Sequence, residues 1–353
     1  MTPIIPLECS RKSVGRAGET LSSKNITSEE YNAALEVLSN WRASHIYPLS
    51  KIQNLLYRRA RKIDGSALIA QRLKRTPSII NKLKIMKNTK LQRLQDIGGC
   101  RAILKDIDSV YKLKDDIVKK FSKHKLIKEN NYILEVKESG YRSIHLIYKF
   151  QATKHTEFNN HLIEIQLRTK LQHAWATAVE ILGTYLNQPL KSSFGNQEIL
   201  DLLKKISLLF SCKENNIQDY SEQVIQNLVK TIQNDLEKPE LDIITQLEAF
   251  SVTTDSITKY NKKKNNGYTL LYLDRKEMVV KIRIFKKEAQ ADAVSEYIKL
   301  EKESKNSDND NIVLVSTESA YNLKKTYPNY FADSKFFIKK LEEYLELYST
   351  ISK

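Results

Sequence analysis

The sequence predicts an α/β protein: a mixed β-sheet flanked by helices, with helices ahead of it and a second, small α/β unit behind it. Three observations predict this. Tyr141–Phe150 and Leu162–Arg168 alternate polar and apolar residues with period two. A helical stripe of Leu171, Ala174, Ala178, Ile181 and Tyr185 follows directly, within Lys170–Leu186. The last third returns to strand-like segments broken by helices, in the order ββαβα.

Size and composition agree. The chain has 353 residues, 41% of them apolar and 28% charged. That is enough for more than one packed domain, and it argues against a disordered chain or a disulfide-stapled mini-protein. No apolar run approaches the ~20 residues of a membrane helix. Met1–Arg16 lacks the apolar core of a signal peptide, so no membrane association is expected. Cys9, Cys100 and Cys212 lie far apart with no CxxC pair. Neither a structural zinc nor a disulfide framework is expected, and a reducing cytoplasm is the expected location.

Four regions follow: N-terminal lead-in and helices over 1–67, an α/β unit over 68–190, a helical connector over 191–260, and a small α/β unit of unassigned role over 261–353. Residues 1–27 read as irregular. A helix is expected over Ser28–Ser44, capped by Thr27 or Ser28, with Tyr31, Leu35, Leu38 and Trp41 near helical spacing. Tyr47-Pro48 interrupts it, and a second helix runs over Ser50–Lys62. Asp64-Gly65 marks a turn. Leu68–Leu73 reads as helix. Another helix begins at Thr76-Pro77, with Thr as N-cap and Pro as the first helical residue. A short strand fits Arg101–Leu104, and a helix fits Ser109–Phe121. In the alternating strands, Tyr141, Ser143 and His145 share one face, as do Glu164, Gln166 and Arg168. In the last region, Tyr268–Leu273, Met278–Phe285 and Ile312–Ser316 read as strands. Ala289–Glu303 and Ser334–Leu347 read as helices, and Lys305–Asn311 as a polar loop.

The charge is concentrated. Between Lys51 and Lys128 there are 22 basic and 6 acidic residues, which is the whole net excess of +16. Such a field attracts polyphosphates, nucleic acid or anionic surfaces, or it is simply a solvated lysine-rich face.

Four groups of residues suggest chemistry. Arg72 and Lys74 precede a helix N-terminus, and Ser78 and Lys82 lie one turn apart on that helix, an arrangement suited to phosphate. Asp96 precedes a Gly pair and Arg101. With Glu164, which projects from the polar face of its strand, it offers two carboxylates for Mg²⁺. Lys137, Tyr141, Ser143 and His145 surround a turn at Gly140, where Tyr141 presents a flat ring for stacking a base. His173, Thr177 and Glu180 lie on the polar side of the following helix. Each group also has an ordinary reading: a solvated basic face, a turn aspartate, an amphipathic strand, a packed tyrosine, a histidine packed on Trp175.

The ordered set is more specific than its parts. Arg72, Lys74, Ser78 and Lys82, then Asp96 and Arg101, then Lys137 through Gly140-Tyr141, Ser143 and His145, then Glu164-Ile-Gln166-Leu-Arg168-Thr169, resemble the RelA/SpoT synthetase family over residues 68–186. The resemblance implies a nucleotidyltransferase-like domain that transfers pyrophosphate from ATP to the 3′-hydroxyl of a guanine nucleotide, GDP or GTP, releasing AMP. It implies that Arg72 and Arg101 sandwich the adenine, and that Lys74, Ser78 and Lys82 bind the ATP phosphates. Asp96 and Glu164 would hold Mg²⁺, and Glu164 would also serve as general base. Tyr141 would stack on the acceptor base, Lys137 and His145 would lie near its phosphates, and Gln166 and His173 would complete that side.

The chain departs from the common pattern at Asn131-Tyr132-Ile133, where many members have Asp-Tyr-Ile. It departs again at Val136-Lys137-Glu138-Ser139-Gly140-Tyr141, where many have Pro-Lys-x-Asn-Gly-Tyr, and downstream of Thr169. These changes touch the acceptor side and leave its identity open. The N-terminal region is too short for a metal-dependent hydrolase domain, so hydrolysis of the product is not expected. Two alternatives stand beside alarmone synthesis: a toxin-like enzyme that pyrophosphorylates the 3′-CCA end of tRNA, and a catalytically silent nucleotide- or RNA-binding module. The basic segment favours tRNA, and the Asp96/Glu164 pair argues against a silent module. The sequence does not set the oligomeric state.

Overall fold

The computed structural model describes residues 4–86, 89–186, 188, 190, 195–214, 221–248, 267–274, 279–303, 311–317 and 334–349. Three helices open the chain: α1 (Arg11–Ser22), α2 (Ser28–Ala43) and α3 (Ile46–Ile63). An α/β unit follows: β1 (Leu68–Leu73), α4 (Thr76–Ile85), β2 (Gly98–Leu104), α5 (Ile107–Lys120), β3 (Lys125–Asn131), β4 (Ile144–Lys149), β5 (Leu162–Thr169) and α6 (Lys170–Tyr185). Then come α7 (Gln197–Glu214), α8 (Glu222–Leu236), β6 (Gly267–Asp274), β7 (Val279–Lys286), α9 (Gln290–Glu303), β8 (Asn311–Thr317) and α10 (Lys335–Ser349). No helix among the described residues is long and apolar enough to cross a membrane.

The strands form one mixed sheet in the order β3-β4-β5-β2-β1-β8-β6-β7. Among the described residues only β2 and β5 run parallel, joined by a connection that contains α5. The last three strands continue the sheet of the α/β unit, because β8 pairs with β1 at Gln71–Ser316 and Arg72–Val315. The C-terminal ββαβ pattern is therefore joined edge to edge with the strand that carries Arg72.

The period-two alternation gives the sheet two unlike faces. Ile69, Leu73, Cys100, Ala102, Leu104, Ile144, Leu146, Tyr148, Ile163, Ile165 and Leu167 project to one side. There they form a single core with Ile52, Leu56 and Ala60 of α3 and Val110, Leu113 and Ile117 of α5. Arg72, Gly99, Arg101, His145, Glu164 and Gln166 hold the alternate positions of β1, β2, β4 and β5, on the opposite face. A second core joins α1, α2 and α4, and a third joins α6, α7, α8 and α10.

Several expectations are corrected. Leu68–Leu73 is a strand, not a helix. Six residues, LIAQRL, are too few to show a decisive period, and pairing with β2 over their whole length sets their conformation. The expected lead-in contains α1, started by Ser10, whose side chain accepts from Ser13 N. Pro48 does not interrupt α3; it sits in the first turn, where a missing N–H costs no helical bond. The N-cap before α4 is Arg75 rather than Thr76, so Pro77 falls one position later. Strand β3 was not expected, because its exposed, lysine-rich sequence lacks an apolar face. Tyr141–Ser143 precede β4 rather than forming part of it. Of the expected loop Lys305–Asn311, only Asn311 lies within the described residues, and Met278 lies outside them. The Thr27 capping box with Glu30 is present as expected.

Candidate active site

The polar face of the sheet gathers most of the predicted residues. Its floor is kept open by Gly99, opposite Glu164 in the β2–β5 register: a Cβ there would meet nothing nearer than Glu164 Oε2, at 4.0 Å.

On one side lie the residues of the β1–α4 turn. Lys74 N–H donates to Ile97 O across 2.8 Å, which ties this turn to the segment entering β2. Lys74 Nζ and Lys82 Nζ then both reach Asp96 Oδ2, at 3.0 and 2.9 Å. Asp96 Oδ1 is buried and has no hydrogen-bond partner. Burial pushes the Asp96 carboxyl up, but the two ammonium groups outweigh it and hold it below its usual range. Burial likewise lowers Lys74, against the pull of Asp96. Ser78, half-buried, sits one turn before Lys82 on α4.

On the other side, Glu164 is the centre of a chain of hydrogen bonds. Its Oε1 lies 2.9 Å from His145 Nδ1, and its Oε2 accepts from Gln166 Nε2 at 2.7 Å. Burial pushes Glu164 up, but His145, Gln166 and the charge of Lys82 outweigh it and hold it at about 2. Burial lowers His145 more than Glu164 raises it. The ring is therefore neutral at neutral pH, and since an ionised carboxylate only accepts, Nδ1 carries the proton. His145 Nε2 is then the acceptor for Tyr141 Oη at 2.7 Å, and Arg168 Nη2 donates to the same Oη. Arg168 also reaches Gln166 Oε1 at 3.2 Å and Ser143 Oγ at 3.4 Å.

Tyr141 is held by charge as well. Lys137 Nζ lies 5.3 Å and Arg168 Cζ 4.9 Å from its ring centre. Tyr132 adds a third aromatic group, with Lys137 Nζ at 4.3 Å and the His145 ring at 5.2 Å. Burial lowers Lys137. The turn before Tyr141 requires glycine: Gly140 has φ +85°, and a Cβ there would press on Lys204 Cα and Ser207 Cβ of α7, both at 3.1 Å. Asn131 keeps the turn that follows β3, its Oδ1 accepting from Ile133 N at 3.2 Å.

The structure thus brings Lys74, Lys82 and Asp96 together, and Glu164, Gln166, His145, Tyr141 and Lys137 together. Arg101 connects with residues expected on the acceptor side: its Nε is 3.4 Å from Gln166 Oε1 and its Nη1 3.4 Å from His173 Nδ1. Arg72 shares its sheet face, two residues along β1 from Ala70, the partner of Arg101. His173 is buried beside this group. Sequence reading missed the roles of Arg168 and Tyr132. The first was visible as the third polar residue on the face of β5. The second carried no signal beyond its place next to Asn131.

The family model described as a region found in RelA / SpoT proteins matches residues 71–188. This segment is a RelA/SpoT-type synthetase domain. The GTP pyrophosphokinase YjbM of Bacillus subtilis (strain 168) is 32% identical over 113 residues, covering 31% of this chain and 52% of the relative. The GTP pyrophosphokinase YwaC of the same organism is 31% identical over 111 residues, covering 30% and 52%. The chain spans about half the length of these curated relatives. A crystal structure of the small alarmone synthetase 1 of Bacillus subtilis bound to its product pppGpp superposes with a TM-score of 0.42 at 23% identity, over 50% of this chain and 93% of the other. The synthetase domain ends near α6, and α7, α8, α10 and the strands β6–β8 lie beyond it.

Proposed function

We propose that the synthetase domain transfers the β,γ-pyrophosphate of ATP to the 3′-hydroxyl of a guanine nucleotide, GDP or GTP. The observation that carries this reading is the pair of unlike clusters on one sheet face. Two lysines share a carboxylate on one side, and an ionised glutamate held by a neutral histidine lies on the other.

Lys74, Lys82 and Ser78 bind the ATP phosphates, and Arg72 and Arg101 flank the adenine. Lys137 and the ring of Tyr141 bind the acceptor, with Gln166 and His173 beside it. The acceptor oxygen bonds to the β-phosphorus, the bond from the bridging oxygen to that phosphorus breaks, and AMP leaves with the electron pair. Glu164 receives the hydroxyl proton. A carboxylate held below its usual range is a weak base, so that proton moves late, when the new oxygen–phosphorus bond has acidified the hydroxyl.

Mg²⁺ fits the residues present. Asp96 Oδ1 is a buried hard oxygen without a hydrogen-bond partner, and Glu164 is close enough to Asp96 to raise its carboxyl. Asp96 and Glu164 would hold the ion; among the described residues no group of three or more His, Cys, Asp or Glu side chains is placed to hold a metal, so substrate phosphates would supply the remaining ligands. When bound, the ion neutralises charge on the transferred group.

The location of the basic residues supports a nucleotide acceptor over tRNA. Lys51, Arg58 and Lys62 of α3 and Lys112, Lys119 and Lys120 of α5 are exposed on helices that cover the apolar face of the sheet, away from Glu164. The test is a transfer assay with Mg²⁺ and γ-labelled ATP, offering GDP, GTP and deacylated tRNA in parallel. Label on the guanine nucleotides is expected. Label on tRNA alone would replace this reading with the translation-blocking one.

A further inference from the structure

We propose that Arg42, on α2 and outside the synthetase domain, is a positioning residue for the ATP-phosphate side of the site. The inference rests on the synthetase reading above.

Arg42 is 2% exposed, an unusual place for a guanidinium. Its three nitrogens point to three different partners. Nε donates to Lys74 O at 2.8 Å, Nη1 donates to Thr76 Oγ1 at 2.8 Å, and Nη2 donates to Tyr297 Oη of α9. The guanidinium also lies 5.4 Å from the Tyr297 ring centre.

Two of those partners belong to the β1–α4 turn. Both backbone polar groups of Lys74 are held, its N–H by Ile97 O and its carbonyl by Arg42. Ile97 follows Asp96 directly, so the backbone that carries one ammonium is tied to the backbone that carries its carboxylate. Thr76 is the first residue of α4, the helix that delivers Ser78 and Lys82. Arg42 therefore sets both the height of Lys74 and the start of α4. Phosphate binding by Lys74, Ser78 and Lys82 depends on all three converging, and convergence at this precision needs support from behind. The planar fork with three separated donors explains why arginine stands here. Lysine has one nitrogen and cannot span Lys74 O, Thr76 Oγ1 and Tyr297 Oη together.

The test measures ATP binding and turnover separately in the full chain. ATP with Mg²⁺ and no acceptor is titrated calorimetrically into wild type and Arg42→Lys, the melting temperature is recorded, and KM for the acceptor is measured by transfer. Expected is ATP binding weakened about tenfold, or roughly 1.4 kcal/mol, with acceptor KM within about twofold of wild type. A folded Arg42→Lys protein that binds ATP like wild type overturns the proposal, as does equal weakening toward both substrates. If that variant does not fold, Thr76→Val removes one accepting hydroxyl and spares the buried charge. About threefold weaker ATP binding supports the proposal, and unchanged binding overturns it. Wild-type protein that binds no ATP overturns the synthetase reading itself, a result distinct from a loss confined to the variants.

Discussion

His145 donates its Nδ1 proton to Glu164 Oε1 across 2.9 Å, from the adjacent strand and on the same face of the sheet. The bond holds the carboxylate ionised and fixes the tautomer of the ring, which frees Nε2 to accept from Tyr141. In the proposed transfer, Glu164 receives the acceptor proton and His145 acts through Glu164. Glu164→Gln is expected to lower kcat by at least ~10³-fold while ATP binding survives. His145→Gln keeps a side chain that can donate but loses the relay to Tyr141, and is expected to lose roughly tenfold in kcat. Retained turnover in Glu164→Gln, read by single-turnover transfer, would remove Glu164 from its role.

In the proposed reading, the ring of Tyr141 and its oxygen have separate roles, and the oxygen lies between His145 and Arg168. Tyr141→Ala removes the stacking surface, so acceptor KM is expected to rise about tenfold or more, with ATP KM within about twofold. Tyr141→Phe keeps the ring and removes the oxygen between His145 and Arg168. It is expected to lower kcat with little change in acceptor KM. Steady-state kinetics in both substrates separates the two effects, and equal losses toward ATP and acceptor in Tyr141→Ala would count against the stacking role.

Behind Tyr141 stands a buried ion pair. Arg142 Nη1 lies 2.8 Å from Glu214 Oε2 of α7, and Arg142 Nε reaches Ser207 Oγ at 3.3 Å. Ser207 also donates to Gly140 O, and Gln172 Nε2 reaches Glu214 at 3.3 Å. Glu214→Ala leaves the guanidinium buried and uncompensated, which costs about 3–5 kcal/mol. Thermal denaturation is expected to show a midpoint lowered by roughly 10 °C. The double substitution Arg142→Met with Glu214→Leu is expected to lose less than Glu214→Ala alone; a larger loss would contradict the desolvation account.

His161 packs against Trp41 and His45, with Ser44 Oγ at 2.9 Å from its Nε2. Burial, with the charge of Arg11, lowers His161 to about 4, and burial lowers His45 well below its usual value. The unfolded chain takes up these protons near pH 6.5. Between pH 6.5 and 4 it therefore binds more protons than the folded chain, and stability falls as the pH drops through that window. For His161 the loss reaches about 3 kcal/mol at pH 4. Urea unfolding at pH 7 and pH 4.5 is expected to show a steeper loss in wild type than in His161→Asn. Parallel losses would assign the acid sensitivity to other groups.

Much of the site was legible because strand alternation places side chains without knowledge of the fold. Glu164 and Gln166 had to share a face, and Ile163 and Ile165 had to share the other. Lys74, Lys82 and Asp96 were legible as types but not as a cluster, since their meeting depends on the Lys74 N–H to Ile97 O bond between two segments. Strand β1 was misread because its six residues suit either helix or strand, and only β2 and β8 beside it decide the matter.

By itself the sequence determined the alternating strands β4 and β5, the capped helix α2, the glycine turn before Tyr141 and the ordered set of residues that marks the synthetase domain. Each depends on local periodicity, on one backbone conformation or on order along the chain. The tertiary structure decided three things no local pattern contains. It joined the C-terminal strands to the strand of Arg72, it placed Glu214 and Ser207 of α7 behind the acceptor turn, and it brought Arg42 under Lys74. These are contacts between segments 32 to more than 200 residues apart in the chain, and their partners are set by packing and by the need to satisfy buried polar groups.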